Sequence, residues 1–246
     1  MGYGYLAPGR SKPRGYASAL LSGPSPLLPG LLAYYKLDEE SGTRADSVGS
    51  ADLADTGSTL SESGLIGRCA GFVAASTQSL IGSVAANRSG KSWFISVWVR
   101  VTSSPSGGQN FFSTADPTSG KGIDIAINSS KELNWRLWTG GNFYIGNFDA
   151  SLTNNIWHLV TVAYNAATSE LVTWLDAASK KTTGSIVTIQ TEPTVTIALG
   201  LRPSFGGTEY FDGLVDECGH WLDRFPSDAE VAALYNGGLG TTYPEF

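Results

Sequence analysis

Apolar and polar positions alternate over short stretches, and clusters of Gly, Ser, Asn and Pro separate those stretches. In residues 93–101, Trp93, Ile95, Val97, Val99 and Val101 fall on one side of an extended chain, and Phe94, Ser96, Trp98 and Arg100 on the other. In 133–138, Leu133, Trp135 and Leu137 oppose Asn134, Arg136 and Trp138. In 157–162, His158, Val160 and Val162 oppose Trp157, Leu159 and Thr161. Similar short runs include LLAYYKL, RCAGFVAA, GIDIAIN, LVTWLDA, SIVTIQ, TVTIALG and YFDGLVDECGHWL. Many strands at short spacing, without long helical periods between them, predict an all-β sandwich or barrel. An apolar face beside a mixed polar and aromatic one suits a two-sheet sandwich with an outer face open to a ligand.

One helix interrupts this pattern, in FPSDAEVAALYNGG. Ser227 is an N-cap with Glu230 three residues on, the spacing of a capping box. Val231, Leu234 and Tyr235 make one apolar face, and Asn236-Gly237 supplies a left-handed stop.

Composition narrows the function classes. Sixteen basic and twenty-two acidic residues give a net charge of −6, which argues against nucleic acid as a partner. No apolar run reaches the ~18 residues that span a bilayer. Cysteine is sparse, with Cys69 and Cys218 alone; one bridge or two buried thiols both fit. The charge is uneven. Residues 1–37 carry Arg10, Lys12, Arg14 and Lys36 and no acid, which leaves twelve basic and twenty-two acidic residues in the rest.

Residues 1–30 are rich in Pro and Gly. Pro24, Pro26 and Pro29 interrupt the apolar core that a signal peptide needs. The reading is a basic, extended anchoring arm ahead of a domain spanning 31–246. Tyr3, Tyr5, Arg10, Lys12, Arg14 and Tyr16 are its candidate partner contacts. Thirty extended residues reach up to ~100 Å.

The order of segments resembles the laminin-G-like, concanavalin-A-like jelly-roll family. LLAYYKLDEESGTRADSVGSADL resembles its first strand and loop, and GLIGRCAGFVAASTQSL its next strand. WFISVWVRV, then NNIWHLVTVAYNAATSELVTWLDA, are similar to the strand and hairpin that follow. The segment from TVTIALG through FPSDAEVAALYNGG looks like the closing strands and terminal helix. Ala177 stands after Asp176 where the family's hairpin turns on Asp-Gly, which leaves the turn type open. The resemblance implies an all-β, two-sheet antiparallel jelly roll with one short C-terminal helix. It also implies one structural calcium ion shared by Asp46 of the first loop and Asp216 of the closing strand. An Asx-turn and a strand-edge hydrogen bond are the alternatives.

Catalytic chemistry is poorly supported. A glycosidase needs two facing carboxylates, but Asp38, Glu39 and Glu40 sit at a strand end, and Asp212 and Asp216 flank a glycine. His158 reads as a core or boundary histidine, and His220, two residues after Cys218, lacks an orienting third group. Sugar binding needs flat aromatics beside planar polar groups, and Trp98, Arg100, Arg136, Trp138 and Trp174 supply those types. Asn142, Phe143 and Tyr144 are loop alternatives.

The leading expectation is a non-enzymatic virion structural protein of a tailed bacteriophage. The arm would dock on capsid or tail proteins within an oligomeric assembly, and the jelly roll would face outward toward host glycans. A carbohydrate-binding or adhesion module of a bacterial surface protein is the alternative, and a polysaccharide hydrolase or lyase the third.

Overall fold

A computed structural model describes residues 26–116, 119–203 and 209–246. Its strands, in chain order, are β1 (Leu31–Tyr35), β2 (Ala54–Thr56), β3 (Leu60–Ser63), β4 (Arg68–Phe72), β5 (Ser79–Val84), β6 (Trp93–Val101), β7 (Gln109–Ser113) and β8 (Lys121–Ile127). They continue with β9 (Glu132–Thr139), β10 (Phe143–Ser151), β11 (Trp157–Asn165), β12 (Glu170–Leu175), β13 (Ser179–Thr183), β14 (Val195–Leu199) and β15 (Gly213–Leu222). One helix, α1 (Asp228–Tyr235), follows.

All pairings are antiparallel, in two sheets. The first runs β13-β12-β11-β6-β15-β4-β3, with β1 also on β15; the second runs β10-β9-β8-β7-β14-β5-β2. This is the expected jelly-roll sandwich. β4 pairs with residues 213–215 of β15 and β1 with residues 218–221, so the two share one edge of the closing strand. A bulge between Asp216 and Gly219 separates the two registers, with Glu217 at φ 43°.

The alternation read from the sequence sorts the residues correctly. Trp93, Ile95, Val97, Val99 and Val101 fill the space between the sheets, with Leu133, Trp135, Leu137, Val160 and Val162. Phe94, Trp98, Leu159 and Trp174 point the other way, into a second apolar layer under α1. The helix begins as expected: Ser227 and Glu230 form a complete capping box, and Asn236 closes it at φ 48°. The C-terminal Phe246 and Leu27 complete this layer, and Trp221 Nε1 donates to the Leu27 carbonyl at 2.7 Å. The packed body therefore includes Leu27, ahead of the expected boundary at residue 31. Tyr3, Tyr5, Arg10, Lys12, Arg14 and Tyr16 lie outside the described residues.

One local expectation is corrected, and the turn type left open at Asp176 is settled. SIVTIQ is not a strand: Ile186 and Ile189 are buried, but the backbone bonds outward, Ile186 to Ser169 and Gln190 to Thr139. The strand after the hairpin is instead β13, whose alternate residues are Lys and Thr. The hairpin's Asp176 and Ala177 both take left-handed φ, 53° and 56°, without a glycine. Asp176 offsets some of that strain by accepting from Leu159 N at 2.9 Å and holding His158 Nδ1 at 2.7 Å.

Candidate functional site

α1, Leu27 and the C-terminal residues cover much of the outer face of the eight-stranded sheet. The outer face of the seven-stranded sheet carries side chains that reach solvent. On β9 these are Asn134, Arg136 and Trp138, alternating with the core residues Leu133, Trp135 and Leu137. β10 pairs them with Asn147, Ile145 and Phe143 respectively. Phe143 and Ile145 are exposed, and Phe143 lies against Trp138 with ring centroids 4.9 Å apart.

The face thus runs in three steps along β9 and β10. An aromatic pair stands at one end, Arg136 beside Ile145 in the middle, and two asparagines at the other end. Four residues of strand separate the ends, about 13 Å. At the asparagine end lies a cavity of about 640 Å³, lined by Asn128, Glu132, Asn134, Ile145, Asn147 and Asp149 among others. A register shift between Asn147 and Ser151 opens it, with Asp149 at φ 53°. Such a bulge re-aims side chains at a strand end. Lys181 of β13 bonds Asn147 Oδ1 and pairs with Asp149 Oδ2 at 2.6 Å, which ties this edge to the other sheet. Gly146 lets β10 pass over the core: a Cβ there would lie 2.3 Å from the Trp135 ring.

Arg136 is the centre of a charged network. It grips Glu209 with both terminal nitrogens, at 2.9 and 2.5 Å, and Arg202 adds a contact to the same carboxylate at 3.3 Å. Its Nε stands 3.7 Å from Oδ2 of Asp124, the facing residue on β8. Asp124 is fully buried; Ser113 donates to its Oδ1, while Oδ2 has no hydrogen-bond partner. Burial pushes its carboxyl up to about 6, against the pull of Ser113 and Arg136. The Arg136 fork holds the Glu209 carboxyl below its usual range. Two carboxylates on one guanidinium are therefore driven in opposite directions.

The sugar-binding candidates divide. Arg136 and Trp138 share the open face. Trp98 and Trp174 do not belong to it, a correction with a simple reason: α1 docks on their strands. Trp98 is 1% exposed and stacks on Tyr235; Trp174, equally buried, packs on Phe225 and donates Nε1 to Asp228. Arg100 lies on the opposite sheet, in a separate hollow with Leu60, Glu62 and Leu214. Of the loop alternatives, Phe143 is on the site, and Tyr144 turns away to accept from Val187 N at 3.1 Å. Glu209, Asp124 and Asn147 escaped the sequence reading. Asp124 carried a signal, a lone acid in the apolar run GIDIAIN. Glu209 carried none.

Asp46 and Asp216 do not fit a shared calcium ion. Asp46 accepts from the backbone N–H groups of Tyr34, Val48 and Ala51, and Asp216 from those of Leu65, Ile66 and Glu217. Donors aimed at both oxygens present positive charge where a cation would bind. Among the described residues no three His, Cys, Asp or Glu side chains converge. Cys69 and Cys218 are free and buried.

The match to known proteins follows the same architecture. Residues 75–232, more than half the chain, match the family Laminin_G_3, the concanavalin A-like lectin/glucanases superfamily. The chain belongs to that family. A search of curated proteins finds no match to its sequence. Among solved structures, domain 4 of an extracellular arabinanase from Geobacillus stearothermophilus, in complex with arabinotriose, superposes with a TM-score of 0.62 at 15% identity. That match covers 86% of this chain and 98% of that one. The botulinum neurotoxin serotype D binding domain gives 0.66 at 12% identity over 85% of this chain. A botulinum neurotoxin DC binding domain in complex with SialylT gives 0.63 at 15% identity, again over 85% of this chain. The chain spans about half the length of each toxin domain, 51% and 52%. At these identities the likeness establishes a shared fold.

Proposed function

We propose that this domain is a non-enzymatic glycan-binding module and that its site is the outer face of β9 and β10. The observation that carries the reading is the amide- and carboxylate-lined cavity of about 640 Å³, continuous with the exposed Ile145 and Phe143. Sugar rings combine an apolar face with in-plane hydroxyls. Exposed aromatic and aliphatic side chains beside planar amides, carboxylates and a guanidinium match both. The stripe is long enough for more than one ring. The arabinotriose bound to the arabinanase domain and the SialylT bound to the toxin domain support a sugar ligand on this architecture.

The test is a glycan array followed by calorimetry on the hits, using the full chain and the variants Phe143→Ala, Asn134→Ala and Asn147→Ala. Binding weakened at least tenfold by Asn134→Ala or Asn147→Ala, with unchanged melting temperature, is expected. Binding insensitive to all three would place the ligand elsewhere, and no binding to any glycan would defeat the reading. Display on a virion rests on residues 1–25, outside the described region, and a truncation decides it separately.

A further inference from the structure

We infer that the Arg136–Arg202 pair is a carboxylate-binding subsite, so that the glycan bound here contains an acidic sugar, and that Glu209 fills the subsite as an internal stand-in when no ligand is present. The inference rests on the glycan-binding reading above and names the class of sugar.

Two guanidinium groups converge on one carboxylate. Arg136 holds it in the two-pronged geometry that suits a carboxylate, and Arg202 reaches Oε1 from the side. The carboxylate belongs to a residue beyond the sheet face. Glu209 and Arg202 are joined as a short ladder, Arg202 N to Glu209 O at 3.2 Å beside the Leu201–Tyr210 bridge. Glu209 thus reaches the face from outside, while Arg136 is fixed on the strand beneath.

The network also carries more polar capacity than its own members use. Arg136 Nε, Arg202 Nε and Asp124 Oδ2 are buried without a hydrogen-bond partner. Asp124 is itself fully buried, with its Oδ2 3.7 Å from Arg136 Nε. A closed structural salt bridge would leave few such atoms, because an unpaired buried polar group is destabilising. A ligand bearing a carboxylate can take the Arg136 fork and the Arg202 contact in place of Glu209. The exposed Ile145, directly across from Arg136, and Phe143 two residues away supply the apolar surface for its ring. The carboxylate belongs over Arg136 and not in the adjacent cavity, where Glu132 and Asp149 would oppose it.

The experiment compares oligogalacturonate and sialyl oligosaccharides with their carboxyl-reduced, neutral counterparts by calorimetry on the full chain. At least one acidic form is expected to bind tenfold or more tighter than its reduced form, with affinity falling as salt rises. Glu209→Gln, nearly isosteric and uncharged, removes the competing carboxylate and should tighten the acidic ligand several-fold. Arg136→Lys keeps the charge but loses the fork and should weaken it at least tenfold; melting curves confirm folding of each variant. Equal binding of acidic and reduced forms, or weaker acidic binding in Glu209→Gln, overturns the inference and leaves the glycan reading standing. No binding by either form, with neutral glycans bound on the array, overturns it likewise. No binding to any glycan overturns both.

Discussion

Gly146→Ala tests how closely β10 crosses the core beneath the site. Its backbone conformation is open to any residue, so the cost is steric. The added Cβ would sit 2.3 Å from Cζ2, 2.5 Å from Cε2 and 2.9 Å from Nε1 of Trp135. Carbon atoms rest at about 3.5–4.0 Å, so more than 1 Å of displacement is needed. Trp135 is 1% exposed and packed among core side chains, so it has no free space to move into. Overpacking of this kind costs about 1–3 kcal/mol, and the overlap points to the upper end. Loss of glycine's freedom in the unfolded chain returns about 0.4–1 kcal/mol. A net loss of about 2 kcal/mol lowers the melting temperature of a chain this size by about 4–8 °C. The assay is calorimetric melting of the wild type, Gly146→Ala and Gly184→Ala, a glycine with open space around it. Ile145 and Asn147 flank Gly146, so sugar affinity should fall with stability. If Gly146→Ala melts with the wild type and Gly184→Ala, the close approach is wrong.

Stability should decline as pH rises from about 4 to 8. Burial lifts Asp124 to about 6, Glu217 to about 7 and Asp216 to about 8. Acids raised on folding add stability below their unfolded values, and that stability is lost as pH climbs through the folded ones. His220 works oppositely: burial lowers it to about 3, so its share is lost as pH falls below 6.5. Glu217→Gln, which can still accept from the Tyr34 hydroxyl, should melt above the wild type beyond pH 8; a lower value there refutes the assignment. Excess EDTA should leave the melting temperature unchanged, because amides occupy Asp46 and Asp216; a clear drop restores the calcium ion. Deleting residues 1–25 should preserve the folded domain and its sugar affinity. If the chain is a virion component, the deletion should abolish its incorporation into particles, and unimpaired incorporation refutes the arm.

The sequence alone determined the sheets' two-sidedness. Strand side chains alternate with period two, so Leu133, Trp135 and Leu137 had to share a face opposite Asn134, Arg136 and Trp138. The cap of α1 was legible because Ser227 and Glu230 act within four residues of each other. Tertiary structure alone decided which mixed face stays open. Trp98 and Arg136 occupy equivalent alternating positions on their strands, yet a helix more than a hundred residues downstream covers the first. β13 and the loop after it were misjudged because burial of Ile186 and Ile189 was decided by the sheets they pack on, not by their own periodicity. The Glu209 contact to Arg136 spans seventy-three residues of chain. A long-range contact of that kind leaves no periodic trace, because sequence spacing reports neighbours within a strand and the approach of a distant loop depends on how the whole sandwich closes.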